Sequence, residues 1–218
     1  LDPKPYSFRF AEDPEAITGA HLRYLEEVID AEGADQIAAF FIETMTGING
    51  AEPPPTPDYL RRLKAMLDRR GILLVLDEVL CGAGRTGRFL AAEHEGVVPD
   101  LVTLAKGITG GHAPLGVVGM SRTIADRFDQ NPYPGGLTYN SHPMCLVAAD
   151  ATLKVLEEED LMSRARELET VLIKGLTELK GRHPSLASFR CRGLLAMMDL
   201  GRDGKGTPIA PFNGTHPL

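Results

Sequence analysis

Residues 72–79 read Ile72-Leu73-Leu74-Val75-Leu76-Asp77-Glu78-Val79, and residues 101–107 read Leu101-Val102-Thr103-Leu104-Ala105-Lys106-Gly107. Each is a short apolar run that ends on an ionisable side chain. Runs of this length, apolar throughout and without polar alternation, suit strands buried on both faces, the habit of parallel sheets. Two such strands, each delivering one ionisable group at its carboxyl end, form a site and not a solvated surface. Asp77 and Lys106 are therefore the first candidate site residues.

Working outward, the chain alternates helix and strand. Leu22, Leu25, Val28 and Ile29 share a helical face, from about Thr18 to a stop at Gly33, while residues 1–16 read as irregular. Residues 37–42 read as a buried strand, and the proline-rich stretch 47–57 as a loop. Asp58 is placed to cap a helix that buries Leu60, Leu63 and Leu67 and closes at Gly71. Strand 72–76 follows, then the glycine turn Gly82-Ala83-Gly84-Arg85-Thr86-Gly87. Further strands are expected at 101–105 and 115–120, and a short helix from Ser121 to Phe128. Such alternation implies βαβ crossovers, so the expected fold class is α/β, a mainly parallel sheet with helices on both faces.

After Pro143 the pattern changes. Leu146, Ala149, Leu153 and Leu156, and then Leu161 to Leu179 in steps of three and four, describe two amphipathic helices separated by an acidic break at 157–160. A strand pair is expected over 186–200. The implied division is a partial large domain over 1–143, then linking helices and the start of a small α+β domain over 144–218.

Bulk properties narrow the function. A net charge of −7 disfavours nucleic acid or an anionic membrane as the main partner. No apolar run is long enough to span a membrane, and no targeting signal opens the chain. The three cysteines are odd in number and form no CxxC pair, which fits reduced thiols in a cytoplasmic protein and no metal site.

Several motifs occur in order: Asp77-Glu78-Val79-Leu80-Cys81-Gly82-Ala83-Gly84-Arg85-Thr86-Gly87, Pro99-Asp100, Ala105-Lys106-Gly107, Gly110-Gly111 with Pro114-Leu115-Gly116, Thr138-Tyr139 with His142-Pro143, and Arg192-Gly193-Leu194. Together they resemble the class III aminotransferases, fold-type I enzymes that use pyridoxal 5'-phosphate, over residues 37 to 211. The resemblance implies transfer of an amino group between a small-molecule donor and a keto acid. It also implies a homodimer with shared active sites. Lys106 matches the Schiff-base lysine, also placed to move the substrate proton. Asp77 matches the partner of the pyridinium nitrogen, a carboxylate that favours the cationic ring. Val79, two residues on and so expected on the same strand face, matches the aliphatic group packed on the ring. Thr138 matches the hydroxyl that binds the phosphate of the neighbouring subunit's cofactor.

The bland readings stand beside these. Asp77 and Lys106 make an ordinary ion pair, Val79 is core, and Thr138 is a loop hydroxyl. Glu78, on the opposite side of the strand, and Glu43 are read as structural. Arg85 is expected to fix the glycine turn by hydrogen bonds, with a substrate contact as the weaker reading. His112 and His142 are read as packing or loop residues near the site.

Two departures bear on the substrate. Many members carry Gln where this chain has Leu80, and the γ-aminobutyrate and ornithine members carry an acid where it has Ile48. Leu80-Cys81-Gly82 resembles the ω-amino acid:pyruvate branch, which implies pyruvate as acceptor and an ω-amino acid or amine as donor. Decarboxylase or aminomutase chemistry on the same scaffold is the alternative, as is an inactive chain acting only as a dimerisation partner. Family members are longer, so the resemblance implies a fragment that lacks an upstream phosphate loop and a downstream substrate arginine, and that is poorly soluble on its own.

Overall fold

A computed structural model describes residues 13–47, 51–203 and 207. Helix α1 spans Pro14–Glu32, four residues earlier than the apolar stripe suggested. Asp13 accepts the Glu15 amide at 3.0 Å, Pro14 fills the first helical position and Glu15 sits in the first turn, so the start is a capped one. Gly33, at φ +87°, ends it and returns its N–H to Ile29. A single 3₁₀ turn, Ala34–Gln36, then delays strand β1 to Ala39–Glu43.

Helix α2 covers Tyr59–Arg69 and strand β2 Leu73–Asp77. Asp58 stands at the α2 cap position, but its carboxylate takes the Thr56 hydroxyl at 2.7 Å. The open amide of Leu60 is instead bonded by Glu95, at 2.8 Å, from a distant loop. Burial raises the Glu95 carboxyl above its ordinary range, against the pull of the Leu60 amide and Arg61. Leu60, Leu63 and Leu67 pack with Ile29 of α1 onto Leu74 and Leu76, all 2% exposed or less.

Strand β3 is Leu101–Leu104 and β4 is Val117–Met120. The sheet order is β1-β2-β3-β4, with the first three strands parallel and β4 antiparallel to β3. Asp77 lies in register between Glu43 and Thr103. Phe40, Ile42, Leu74 and Leu76 face α1 and α2. The opposite face bears Asp77 and, among the described residues, is open at Phe41, Val118 and Met120.

Helix α3, Arg122–Ala125, continues as a 3₁₀ turn to Phe128, and residues 130–142 form no helix or strand. Helices α4, Pro143–Glu158, and α5, Leu161–Arg182, break at Glu159–Asp160, where Asp160 adopts φ +46°. Helix α4 packs on the turn that begins at Lys106, and α5 packs on strand β5. Strands β5, Leu186–Arg192, and β6, Leu195–Leu200, form the antiparallel hairpin expected over 186–200. No helix among the described residues is long and apolar enough to cross a membrane.

Candidate active site

Asp77 is the last residue of β2 and is half-buried. Its Oδ1 accepts the backbone N–H of Val79 at 2.9 Å, an Asx-type turn that holds the carboxylate in one orientation. No other hydrogen bond or ion pair reaches that carboxylate among the described residues. Val79 itself lies in this turn and not on the strand, which has already ended. The expectation that strand alternation puts Val79 on the face of Asp77 is therefore corrected: the turn places it. Its side chain is half-buried.

The neighbouring acids are held away from this point. Glu78 is 1% exposed and accepts from the Thr44 hydroxyl at 2.7 Å, the amides of Ala91 and Ala92 at 2.9 Å each, and the Cys81 thiol at 3.2 Å. Burial, with Glu78 beside it, pushes the Cys81 thiol far above its ordinary range, so it stays protonated and unreactive. Glu43 turns back to accept the Gly47 amide at 3.1 Å. Both acids have the structural roles expected of them. Ile48 lies outside the described residues.

Lys106 follows β3 and opens the 3₁₀ turn Lys106–Thr109. Its φ of +46° is in the left-handed region, which costs a non-glycine residue on the order of 1–3 kcal/mol. Its carbonyl accepts the Gly111 amide, and Thr109 locks the turn by donating to Ala113 at 2.7 Å. The Lys106 side chain is exposed, and its amine forms no hydrogen bond or ion pair among the described residues. Asp77 and Lys106 thus stand at the carboxyl ends of adjacent parallel strands without bonding each other.

Lys106 lines an open cavity of about 840 Å³ between the glycine turn, residues 110–112 and α4. Arg85, His112 and Thr152 share its wall. Asp77, Val79 and Thr138 are not among the residues that line it. Thr138 is exposed in the irregular segment after α3, beside Leu137 and Tyr139, and makes no hydrogen bond to the other candidates among the described residues. The His142 and Tyr139 rings lie 5.7 Å apart, tilted at 43°, and His142 Nδ1 is buried without a hydrogen-bond partner among the described residues.

The reading of Arg85 needs correcting. Its backbone is held, with N–H to Gly82 and carbonyl to Leu194, but its side chain makes no hydrogen bond to the turn. Arg166 does that work by donating to the Gly87 carbonyl, and His94 bonds Thr86 at 3.1–3.2 Å. Arg166 sits far along the chain on α5, so no local signal ties it to the turn. The cavity wall from α4 was likewise invisible to local pattern, because it depends on how that helix docks.

The chain and its architecture have counterparts among known proteins. The Aminotransferase class-III family profile matches residues 3–212. 5-Aminovalerate aminotransferase DavT of Pseudomonas putida is 41% identical over 187 residues, 85% of this chain and 42% of the relative. Among solved structures, taurine:2-oxoglutarate aminotransferase from Bifidobacterium kashiwanohense, in complex with PLP and glutamate, superposes with a TM-score of 0.89 at 33% identity. That match covers 94% of this chain and 46% of the other. A thermostable (S)-enantioselective omega-transaminase from Thermomicrobium roseum gives a TM-score of 0.87 at 37% identity, over 95% of this chain and 47% of the other. The chain thus spans a little under half the length of these relatives. The α/β sheet, the motif order and the matched span agree: this chain belongs to the class III aminotransferases, of fold-type I.

Proposed function

We propose that this chain forms the central part of a pyridoxal 5'-phosphate-dependent aminotransferase that moves an amino group from an ω-amino acid or amine to a keto acid. The observation that carries the reading is the pair Asp77 and Lys106, delivered by adjacent parallel strands to one sheet end and not neutralising each other. The residues suit the cofactor. A carboxylate with one oxygen fixed by the Val79 amide has its second oxygen for a ring N–H, and an unpaired lysine amine is available to an aldehyde.

When bound, the cofactor's ring draws electrons from the substrate carbon that bears the amino group. The chain's own residues do the rest. Asp77 would keep the ring nitrogen protonated, and Val79 would pack on the ring. Lys106 Nζ is the amine that would hold the cofactor aldehyde, and once free it would be the base that takes the proton from the substrate carbon. Thr138, in a homodimer, donates its hydroxyl to the phosphate held by the neighbouring subunit. Over one full cycle the donor leaves as an aldehyde or ketone and the acceptor as an amino acid.

Pyruvate is the proposed acceptor. Ile48 stands where the resemblance implies an acid in the γ-aminobutyrate and ornithine members, and Leu80-Cys81-Gly82 resembles the ω-amino acid:pyruvate branch, which supports a keto acid without a second carboxylate. The taurine:2-oxoglutarate relative favours the other acceptor, and steady-state rates with the two keto acids decide between them. Borohydride reduction with the cofactor present, followed by peptide mapping, tests the core of the reading. The reduced adduct is expected on Lys106; an adduct confined to other lysines overturns it.

A further inference from the structure

We infer that Arg190 is a positioning residue for the reaction: from strand β5 it clamps Glu52, and through Glu52 it holds the segment after β1 against the turn that grips Asp77. The inference rests on the aminotransferase reading of Asp77 and Lys106 and adds to it a residue that acts through others.

All three guanidinium nitrogens of Arg190 are engaged. Nη1 and Nη2 donate to the two oxygens of Asp199 on the neighbouring strand β6, at 2.6 and 3.0 Å, and Nε faces Glu52 Oε1 at 3.1 Å. The Ser188 hydroxyl also donates to Asp199, at 2.5 Å. A planar fork that bridges two carboxylates is fixed in orientation, which a lysine ammonium is not. The Arg190–Asp199 contact lies within the hairpin, whereas Arg190–Glu52 crosses from the hairpin to the segment after β1. The Arg190 and Glu52 side chains are 20% and 38% exposed, so the crossing pair is partly shielded from solvent and salt.

Glu52 passes the restraint on through its backbone. Its carbonyl accepts the Thr46 amide at 3.1 Å, and its own amide donates to the Thr46 hydroxyl at 3.0 Å. Next to Thr46, the Gly47 amide donates to Glu43 at 3.1 Å, and Gly47 lies so close to the Leu80 side chain that a Cβ there would overlap it. Leu80 follows Val79, whose amide holds the Asp77 carboxylate. Beside this path, Leu195 of β6 packs on Met45, Cys81 and Ala91, so the hairpin meets the same region through an apolar contact as well. Apolar burial is non-directional and permits sliding; a fork on a carboxylate does not. The ion pair therefore sets how the hairpin and the segment face each other.

Amide hydrogen exchange at Val79 reads the grip on Asp77 directly and needs no cofactor. In Arg190→Ala and in Glu52→Gln it is expected to quicken about threefold or more, the scale of coupling carried through packed networks. Amides in the middle of α1 are expected to keep their rates. The double variant is expected to be no faster than the faster single one, because both remove one contact. Arg190→Lys is expected to recover part of the protection. Asp199→Asn, which spares the contact with Glu52, is expected to disturb Val79 less than Glu52→Gln does. In the cofactor-loaded protein, kcat of Glu52→Gln is expected to fall with KM nearly unchanged. Unchanged Val79 exchange in both single variants overturns the inference. So does Asp199→Asn acting as strongly as Glu52→Gln, the mark of a role confined to the hairpin. Borohydride trapping on Lys106 in parallel separates the two ideas. An adduct on Lys106 with unchanged Val79 exchange removes the clamp alone, whereas a wild type that traps nothing on Lys106 removes the reading beneath it and with it the clamp's part in catalysis.

Discussion

The Val79 backbone amide donates to Oδ1 of Asp77 at 2.9 Å, so the turn after β2 grips the carboxylate it has just delivered. Position and orientation of the acid are therefore set by one local hydrogen bond. Asp77→Asn keeps an acceptor for Val79 but lacks the charge that holds a ring proton. Turnover is expected to fall by about a hundredfold or more, the scale on which aimed electrostatic partners act. Stability to urea is expected to change little. A variant that keeps more than a tenth of wild-type kcat/KM, an order-of-magnitude bound, argues against the assigned role.

Glu78 carries a different load. Four donors converge on its carboxylate in the interior. Glu78→Ala strands the Thr44 hydroxyl and the amides of Ala91 and Ala92, and each buried unsatisfied group costs roughly 1–3 kcal/mol. A loss of at least about 3 kcal/mol in equilibrium urea unfolding is expected. A loss under about 1 kcal/mol shows that these donors find water or other partners.

Two glycines give a paired comparison. Gly193, at φ +57°, would bring an added Cβ to 2.5 Å from the Thr86 backbone, which has nowhere to move. Gly71, at φ +69°, has nothing within 4 Å of the same atom. Gly71→Ala thus meets conformational strain alone, about 1 kcal/mol, while Gly193→Ala adds a backbone clash and is expected to cost at least about twice that. Equal melting temperatures for the two variants contradict the tight hairpin-to-turn contact.

Acid should loosen the glycine turn. Burial, then the charge of Arg192, lowers the His94 pKa below its ordinary 6.5, against the hydrogen bond to Thr86. A histidine with a depressed folded pKa favours the folded state fully above 6.5 and ceases to do so as pH falls from there through its folded value. Glu95 has the opposite sign. Its raised pKa means that its contribution is present below 4.5 and is lost as pH rises through the folded value. Because the two groups act with opposite sign, the comparison is between wild type and His94→Gln. The urea midpoint of the variant is expected to fall less between pH 7 and pH 5 (chosen to bracket the ordinary histidine range). A parallel fall in both removes His94 as the cause.

Much of this molecule is legible in its sequence where the physics is local. The unbroken apolar run at 73–76, the leucine stripe of α5 and the hairpin at 186–200 each carry a periodicity that one element alone satisfies. Asp77 and Lys106 are legible because strand ends are. The start of α1 was also written locally, in Asp13-Pro14-Glu15, but an apolar stripe beginning later drew attention from it. What the sequence hides is tertiary. Glu95 closes the amino end of α2 from a distant loop, and Arg166 holds the Gly87 carbonyl from α5.

The Arg85 carbonyl is tied to Leu194 at the tip of the β5–β6 hairpin, while Arg85 also forms part of the cavity wall beside Lys106. One residue therefore belongs at once to the joint and to the pocket. Substitutions at residues 193 and 194, which do not line the cavity, therefore bear on its wall through the Arg85 carbonyl alone.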